Sequence, residues 1–254
     1  MIKKREATMY LIRIALLASA FAGAQVTAAG IDVGAMTEYL APHKSTLLKR
    51  VRNIGDNTAF VKIELKEMLF AANGKDYTEQ DVAAVVHDKN AQKNTLIASP
   101  ARMIIAANGT QTTRLLHLGK RDKEHYYRVR FLPVLPDREQ GFVLSDEDSK
   151  QLAETIAAGV SVLTGYGAVL IVPPDVVRHH TVLSETAADY TIRNDGNSVI
   201  MVENFYDCVS TTDNCQGPSA FHVLPTRSHV IPKQSGHTYR FELVEGKHKR
   251  LIKF

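Results

Sequence analysis

Apolar and polar residues alternate at every second position along most of this chain, and this pattern predicts β-strands. Between Phe60 and Met68, for example, Val61, Ile63 and Leu65 alternate with charged residues, as in a strand buried on one face. Similar runs are Thr46–Val51, Leu96–Ser99, Met103–Ala106, Thr112–Leu118, Tyr127–Phe131 and Val160–Val172. Turn signals such as Asn108-Gly109 separate these runs. Short strands at this spacing predict an all-β sandwich.

Two segments have helix-like features instead. Thr78–His87 opens with a possible capping threonine followed by acidic residues, and we interpret it as a short helix or a loop. Ser145–Ala158 is acidic at its start, with Leu152 and Ile156 four residues apart. We interpret this second segment as a polar loop between strands, so neither segment predicts a helical domain.

The dipeptide Pro173-Pro174 predicts a domain boundary, because proline ends a strand and stiffens a linker. A second series of strand-like runs follows it: Thr181–Ser184, Asp189–Arg193, Ser198–Tyr206, Ala220–Leu224, Ser228–Ile231, His237–Val244 and Lys247–Phe254. The sequence therefore predicts two unequal sandwich domains, residues 29–172 and 173–254.

Residues 1–28 have the features of a secretory signal peptide. Basic residues precede an apolar run from Ile14 to Phe21, and small residues allow cleavage after Ala24 or Ala28. An uncleaved membrane anchor is the alternative, but the apolar run is shorter than the ~20 residues that cross a bilayer. We therefore expect the chain to be exported and the signal peptide to be removed.

Removing the signal peptide changes the charge of the chain. The full sequence has 31 Lys and Arg against 27 Asp and Glu. Residues 1–28 hold four of the basic residues and one of the acidic ones, so 27 and 26 remain. The mature chain is nearly neutral, and the argument for a nucleic-acid partner loses its main support.

The sequence contains two cysteines, Cys208 and Cys215, with six residues between them. In an oxidising compartment such a pair predicts a disulfide across a hairpin or loop, with two free thiols as the alternative.

No set of residues carries a recognisable catalytic pattern. Gly165-Tyr166-Gly167 is followed by a strand-like run, whereas a dinucleotide-binding loop is followed by a helix. His179 and His180 are adjacent, so in a strand their rings point to opposite faces, and the ten histidines show no metal-ligand spacing. We therefore predict neither an enzyme nor a cofactor, metal ion or small-molecule substrate.

Several short motifs, taken in order, resemble those of a known family. They are Ser99-Pro100, Arg102, Ala107-Asn108-Gly109, Thr113-Arg114-Leu115, Tyr127–Pro133, Arg193–Asn197, Phe205–Cys208 and Asp213–Cys215. Together they resemble the periplasmic chaperones of the chaperone–usher pathway, and the second-domain motifs resemble the alternate branch that serves alpha-type fimbriae. The resemblance implies two immunoglobulin-like domains at an angle.

For function, the resemblance implies donor-strand complementation of pilus subunits and their delivery to an outer-membrane usher. An unfinished subunit lacks one strand, and the chaperone lends its own to cover the open groove. The predicted donor residues are Ala158, Val160, Val162 and Thr164, which share one face at period two. The alternative is an ordinary core strand in which Leu163, Val169 and Ile171 fill the first domain. The resemblance leaves open a self-capping dimer when no subunit is bound.

Two sets of charged residues follow from the same resemblance. The family's basic pair that holds the subunit's terminal carboxylate is absent from its usual places, namely Ile31–Leu40 and Val160–Val172. By charge alone, the candidate anchors are Lys49, Arg50, Arg114 and Arg128, with a solvated strand face as the alternative for each. Arg102 and Glu124 stand where the family places part of an interdomain salt bridge.

A structural or tip-adhesin component of the surface fibre is the alternative function.

Overall fold

The computed structural model of the chain describes residues 30–71, 76–82, 95–135, 142, 164–210 and 214–254. The predicted signal peptide lies outside these residues. No helix that is long and apolar enough to cross a membrane occurs in the described part.

In the described part of the chain, ten strands precede Pro173. They are β1 (Ile31–Asp32), β2 (Thr37–Tyr39), β3 (Thr46–Asn53), β4 (Ala59–Phe70), β5 (Tyr77–Asp81), β6 (Thr95–Ser99), β7 (Arg102–Ile105), β8 (Thr110–Leu118), β9 (His125–Pro133) and β10 (Tyr166–Val172). They form two sheets. Sheet I has the order β1-β3-β8-β6, and sheet II has the order β2-β10-β9-β4-β5, with β7 also paired to β4.

After Pro174, the described residues form seven strands. They are β11 (Thr181–Glu185), β12 (Asp189–Asn194), β13 (Ile200–Val209), β14 (Asn214–Val223), β15 (Ser228–Pro232), β16 (His237–Glu245) and β17 (His248–Lys253). Sheet III has the order β11-β12-β15, and sheet IV has the order β14-β13-β16-β17. No described strand before Pro173 pairs with one after Pro174.

Each half of the chain has its own hydrophobic core, built by the alternation that the sequence shows. Strand β9 is the clearest case, because Tyr127, Val129 and Phe131 are almost fully buried while the residues between them are half-buried. They belong to the first core, and Ile192, Phe241 and Leu243 belong to the second. The all-β prediction is confirmed, since each domain is an immunoglobulin-like sandwich of facing sheets.

The prediction of a short helix or loop at Thr78–His87 is wrong for Thr78–Asp81, which lie in β5. The reason is tertiary pairing. β5 runs antiparallel to the end of β4, where the rings of Phe70 and Tyr77 lie 5.5 Å apart. The acidic residue Glu79, interpreted as a helix-start signal, instead contacts Arg130. Residues 83–87 and the segment Ser145–Ala158 lie outside the described residues.

Candidate functional site

Among the strands that the structure describes, none pairs with the outer edge of β10 along its first three residues, and we call this stretch the open edge. It pairs antiparallel with β9 from Tyr166 to Val172, but its other edge pairs with β2 only from Val169 to Ile171, in parallel. Within the described part of the chain, no strand lies against the outer edge of Tyr166–Ala168. Unpaired backbone groups at such an edge can accept another strand.

The even-numbered side chains of β10 face the first core. Ala168, Leu170 and Val172 are buried there, with Tyr166 packed against them. Val169 is half-buried and Ile171 is buried, but neither belongs to this cluster. The alternative in which Val169 and Ile171 fill the core is therefore wrong, because the register with β9 turns the other set of residues inward.

Three of the four predicted donor residues, Ala158, Val160 and Val162, lie outside the described residues. Thr164 is described, and it is exposed just before β10 begins. All four have even residue numbers, as do the core-facing residues of β10. Any extended continuation of this strand would therefore keep them on the core-facing side.

The two glycines near the start of β10 mark close approaches to β9. A Cβ atom at Gly165 would lie 2.9 Å from Cδ2 of Leu132 and 3.3 Å from the carbonyl oxygen of Phe131. A Cβ atom at Gly167 would lie 3.3 Å from Cδ of Arg128. The absence of a side chain at Gly167 thus lets Arg128 extend across β10 towards the open edge.

Arg128 belongs to a polar network on the outer face of sheet II. Its Nη1 donates to the Gly167 carbonyl at 3.2 Å, and its Nη2 donates to the Tyr77 hydroxyl at 2.9 Å. Its Nε lies 3.7 Å from Glu79, which also accepts a hydrogen bond from Arg130. The side chains of Arg128 and Glu79 are about one-fifth exposed, so the guanidinium is oriented and still reachable from solvent.

The other predicted anchors lie elsewhere. Arg50 and Arg114 are exposed on β3 and β8 of sheet I, the sheet that does not contain β10. Lys49 points into the sandwich and is 3% exposed, and its ammonium contacts the Glu38 carboxylate at 2.7 Å and the Ala35 carbonyl at 2.5 Å. The Lys49 ammonium is therefore already paired with the carboxylate of Glu38, a residue of β2.

The carboxylate of Glu124 connects the two domains. It accepts hydrogen bonds from the Ser198 hydroxyl at 2.5 Å and the Val199 amide at 3.0 Å, and from the Tyr126 hydroxyl of its own domain at 2.5 Å. Burial raises the pKa of Glu124, while these three donors oppose the increase. Arg102, the other residue predicted at this interface, is exposed at the start of β7 and is not among these donors.

A second interdomain contact was not foreseen from the sequence. The Tyr39 hydroxyl, at the end of β2, lies 2.6 Å from Nε2 of His222 and 3.8 Å from the sulfur of Met201. Burial, with smaller contributions from Glu124 and Glu203, raises the pKa of Tyr39 to about 12. Burial lowers the pKa of His222, so the neutral ring can accept the Tyr39 proton. The strand that pairs with β10 is thereby attached to the second domain.

The two cysteines of the chain lie in the second domain. Cys208 and Cys215 form a disulfide, as predicted, and they are directly paired across β13 and β14. No three His, Cys, Asp or Glu side chains in the described part of the chain gather in an arrangement that could hold a metal ion.

Comparison with known proteins points to one class of protein. No protein-family model matches the chain. The probable fimbrial chaperone EcpB of Escherichia coli O157:H7 (strain EC4115) is 23% identical over 221 residues, which cover 86% of each protein.

Two solved structures extend the likeness to the fold. The class 5 fimbriae chaperone CfaA is 20% identical with a TM-score of 0.54, over 88% of this chain and 98% of that one. The chaperone–tip subunit complex CsuC–CsuE of Acinetobacter baumannii gives 13% identity and a TM-score of 0.52, over 89% and 98%. Over most of its length this chain is similar in sequence to fimbrial chaperones, and its fold is similar to theirs.

Proposed function

We propose that this chain is a periplasmic chaperone that binds pilus subunits by lending them a strand, and then delivers them to an outer-membrane usher. The observation that carries the proposal is the open edge of β10 at Tyr166–Ala168, next to a core-facing row of side chains. The similarity to fimbrial chaperones supports the same function, and one similar structure is a complex with a tip subunit.

The mechanism follows from strand pairing. A subunit strand that adds to the free edge of β10 gains main-chain hydrogen bonds of about 1 kcal/mol each. The predicted donor residues Ala158, Val160, Val162 and Thr164 then place small apolar groups in the groove of the subunit. Full burial of a valine contributes roughly 1.5–3 kcal/mol. Small donors therefore give a hold that another strand can replace during assembly.

We further propose that Arg128 is the anchor for the terminal carboxylate of the subunit. Its side chain donates a hydrogen bond to the Gly167 carbonyl of β10 and extends over that glycine towards the open edge. A guanidinium can hold a carboxylate by two parallel hydrogen bonds. Glu79 and Tyr77 keep the group in place until a subunit arrives.

The donor assignment is tested with the double variant Val160→Asp, Val162→Asp, co-expressed with a pilin. We expect a folded protein that no longer co-purifies with the pilin, because two charges on the donated face would have to enter an apolar groove. The matched control is Ser161→Asp, Leu163→Asp, which places the same charges on the opposite face and should retain the pilin. Equal pilin yields for the Val160/Val162 variant and the wild type would refute the assignment.

A further inference from the structure

The outer face of sheet I carries three exposed arginines that the donor-strand function does not use. Arg50 and Arg52 project from β3, and Arg114 projects from β8. Thr112 stands directly opposite Arg50. Arg114 is therefore the diagonal neighbour of Arg50, and these two arginines lie about 7–8 Å apart. We refer to Leu48, Arg50, Arg52, Thr112, Arg114 and Leu116 as the arginine face.

These three guanidiniums lack partners within the part of the chain that the structure describes. None takes part in a salt bridge or a side-chain hydrogen bond there. No outward position of β3, β8 or β6 carries an acidic residue. Asp32, across from Arg52 on β1, instead accepts a hydrogen bond from the Gly34 amide. On sheet II, by contrast, Arg128 and Arg130 share Glu79.

Exposed apolar side chains lie among these arginines. Leu48 is 64% exposed and stands directly opposite Arg114, while Leu116 is half-buried beside Ile97. Arginine mixed with apolar side chains is typical of protein interfaces, where the apolar groups exclude water from the charged pairs. The adjacent threonines supply hydroxyl groups for a polar rim.

We propose that the arginine face binds an extended acidic segment of another protein, separately from the donor strand. Residues two apart along an extended chain are about 6.8 Å apart and project from the same side. Acidic residues at alternate positions therefore match the spacing of Arg50 and Arg52 along β3. Each guanidinium can hold one carboxylate by two hydrogen bonds. An anionic membrane fits less well, because membrane-binding clusters generally hold about four to eight basic residues.

The test uses the mature chain and a labelled peptide in which glutamate and threonine alternate around one central leucine. We expect the peptide to bind the wild type, and Arg50→Glu, Arg114→Glu to weaken binding by about tenfold or more. Raising the salt from about 0.05 to about 0.3 M should also weaken it. Lys247→Glu, Lys253→Glu is the matched control, because it makes the same change in net charge on the second domain and should bind the peptide normally.

Three outcomes would overturn the proposal. The first is unchanged binding of the peptide by the Arg50/Arg114 variant, and the second is equal binding of a peptide with glutamine in place of glutamate. The third is binding of vesicles with about 30% anionic lipid when the peptide itself does not bind, which would identify the face as a membrane contact. Pilin co-purification is measured in parallel and should be normal in the folded Arg50/Arg114 variant. Its loss would assign these arginines to subunit binding and reject a separate partner.

Discussion

At the scale of single residues, the most informative group is a histidine that burial keeps neutral. His117 projects inward from β8 and is 3% exposed, and its Nε2 has no hydrogen-bond partner in the described part of the chain. The rings of His125 and Tyr127 each lie 5.8 Å away. Burial, and then the nearby His125, lowers the pKa of His117 to about 4. An unfolded chain would take up the proton near pH 6.5.

This difference in pKa predicts that acid destabilises the first domain. Between about pH 6.5 and pH 4 the unfolded state binds the proton and the folded state does not, so the free energy of unfolding falls as the pH falls. The loss from His117 amounts to at most about 3 kcal/mol at pH 4. Urea unfolding from pH 7 to pH 4 measures it, and His117→Phe should have a shallower pH dependence.

His43 provides the control, because it is exposed in a turn and His43→Gln should leave the pH dependence unchanged. Direct NMR titration of His117 in the wild type gives an independent check that does not depend on how the variant folds. A measured pKa near 6.5 would contradict the prediction.

At the scale of elements, β10 combines two tasks along one strand. Its later residues are held between β9 and β2, while its first residues keep one edge free. In the sequence, Thr164, Val162 and Val160 precede its core-facing residues at the same interval of two. Gly167 leaves room for Arg128 to lie across the strand. The strand proposed to be donated and the group proposed to anchor the subunit are therefore positioned by the same pairing with β9.

The anchor role predicts that Arg128→Ala weakens binding of a peptide with the sequence of the last pilin strand. The loss should be about tenfold when the peptide ends in a free carboxylate and negligible when it ends in an amide, because only the carboxylate carries the charge. Arg128→Lys should lose less, since it keeps the charge but not the two-bond geometry. Isothermal titration calorimetry measures both affinities.

Arg130→Ala is the control for that measurement. Arg130 lies on the same strand and the same face, directly across from Gly167, and it also contacts Glu79, but the hydrogen bond to the Gly167 carbonyl comes from Arg128. Its loss should leave the affinity of both peptides within about twofold of the wild type. An equal loss for the carboxylate and the amide after Arg128→Ala would show that the residue supports the fold and does not anchor a carboxylate.

At the scale of the whole molecule, polar contacts among the described residues connect the two domains. The buried Glu124 accepts hydrogen bonds from Ser198 and Val199, and the more exposed Tyr39 contacts His222. Through Tyr39, these contacts attach β2, the partner of β10, to the second domain. Arg121 holds the start of the linker to the first domain, because it donates to the carbonyl oxygens of both Pro173 and Lys44.

Replacing Glu124 with glutamine should loosen this interface. The amide keeps the shape but has one acceptor oxygen instead of two. Because the Ser198 and Tyr126 hydroxyls donate to different oxygens of Glu124, one of them loses its acceptor at a cost of about 1–3 kcal/mol. We expect the two domains to unfold in separate calorimetric transitions, and proteolysis to increase in the linker between Pro173 and Thr181. Glu185→Gln is the control, because its carboxylate is half exposed and pairs with Lys233 within the second domain. A single transition at the wild-type temperature would contradict the prediction.

The alternation of apolar and polar residues was enough to predict most of the strands and the all-β class. It failed at β5, because the polar run Thr78–Asp81 pairs with β4 through contacts that come from elsewhere in the chain. It also did not identify β2, where Tyr39 gave no local signal of its contact with His222, 183 residues later. Long-range pairing of this kind leaves little trace in a local pattern.

For the candidate site, the sequence by itself determined which residues share a face, because period two follows from the geometry of an extended chain. It also determined how many lysine and arginine side chains are available to anchor the terminal carboxylate of a subunit. The tertiary structure decided which face of β10 meets the core, which cation lies across that strand and which arginines remain unpaired. Those outcomes depend on strand register and on the neighbours that each sheet brings together, and neither is a property of a local segment.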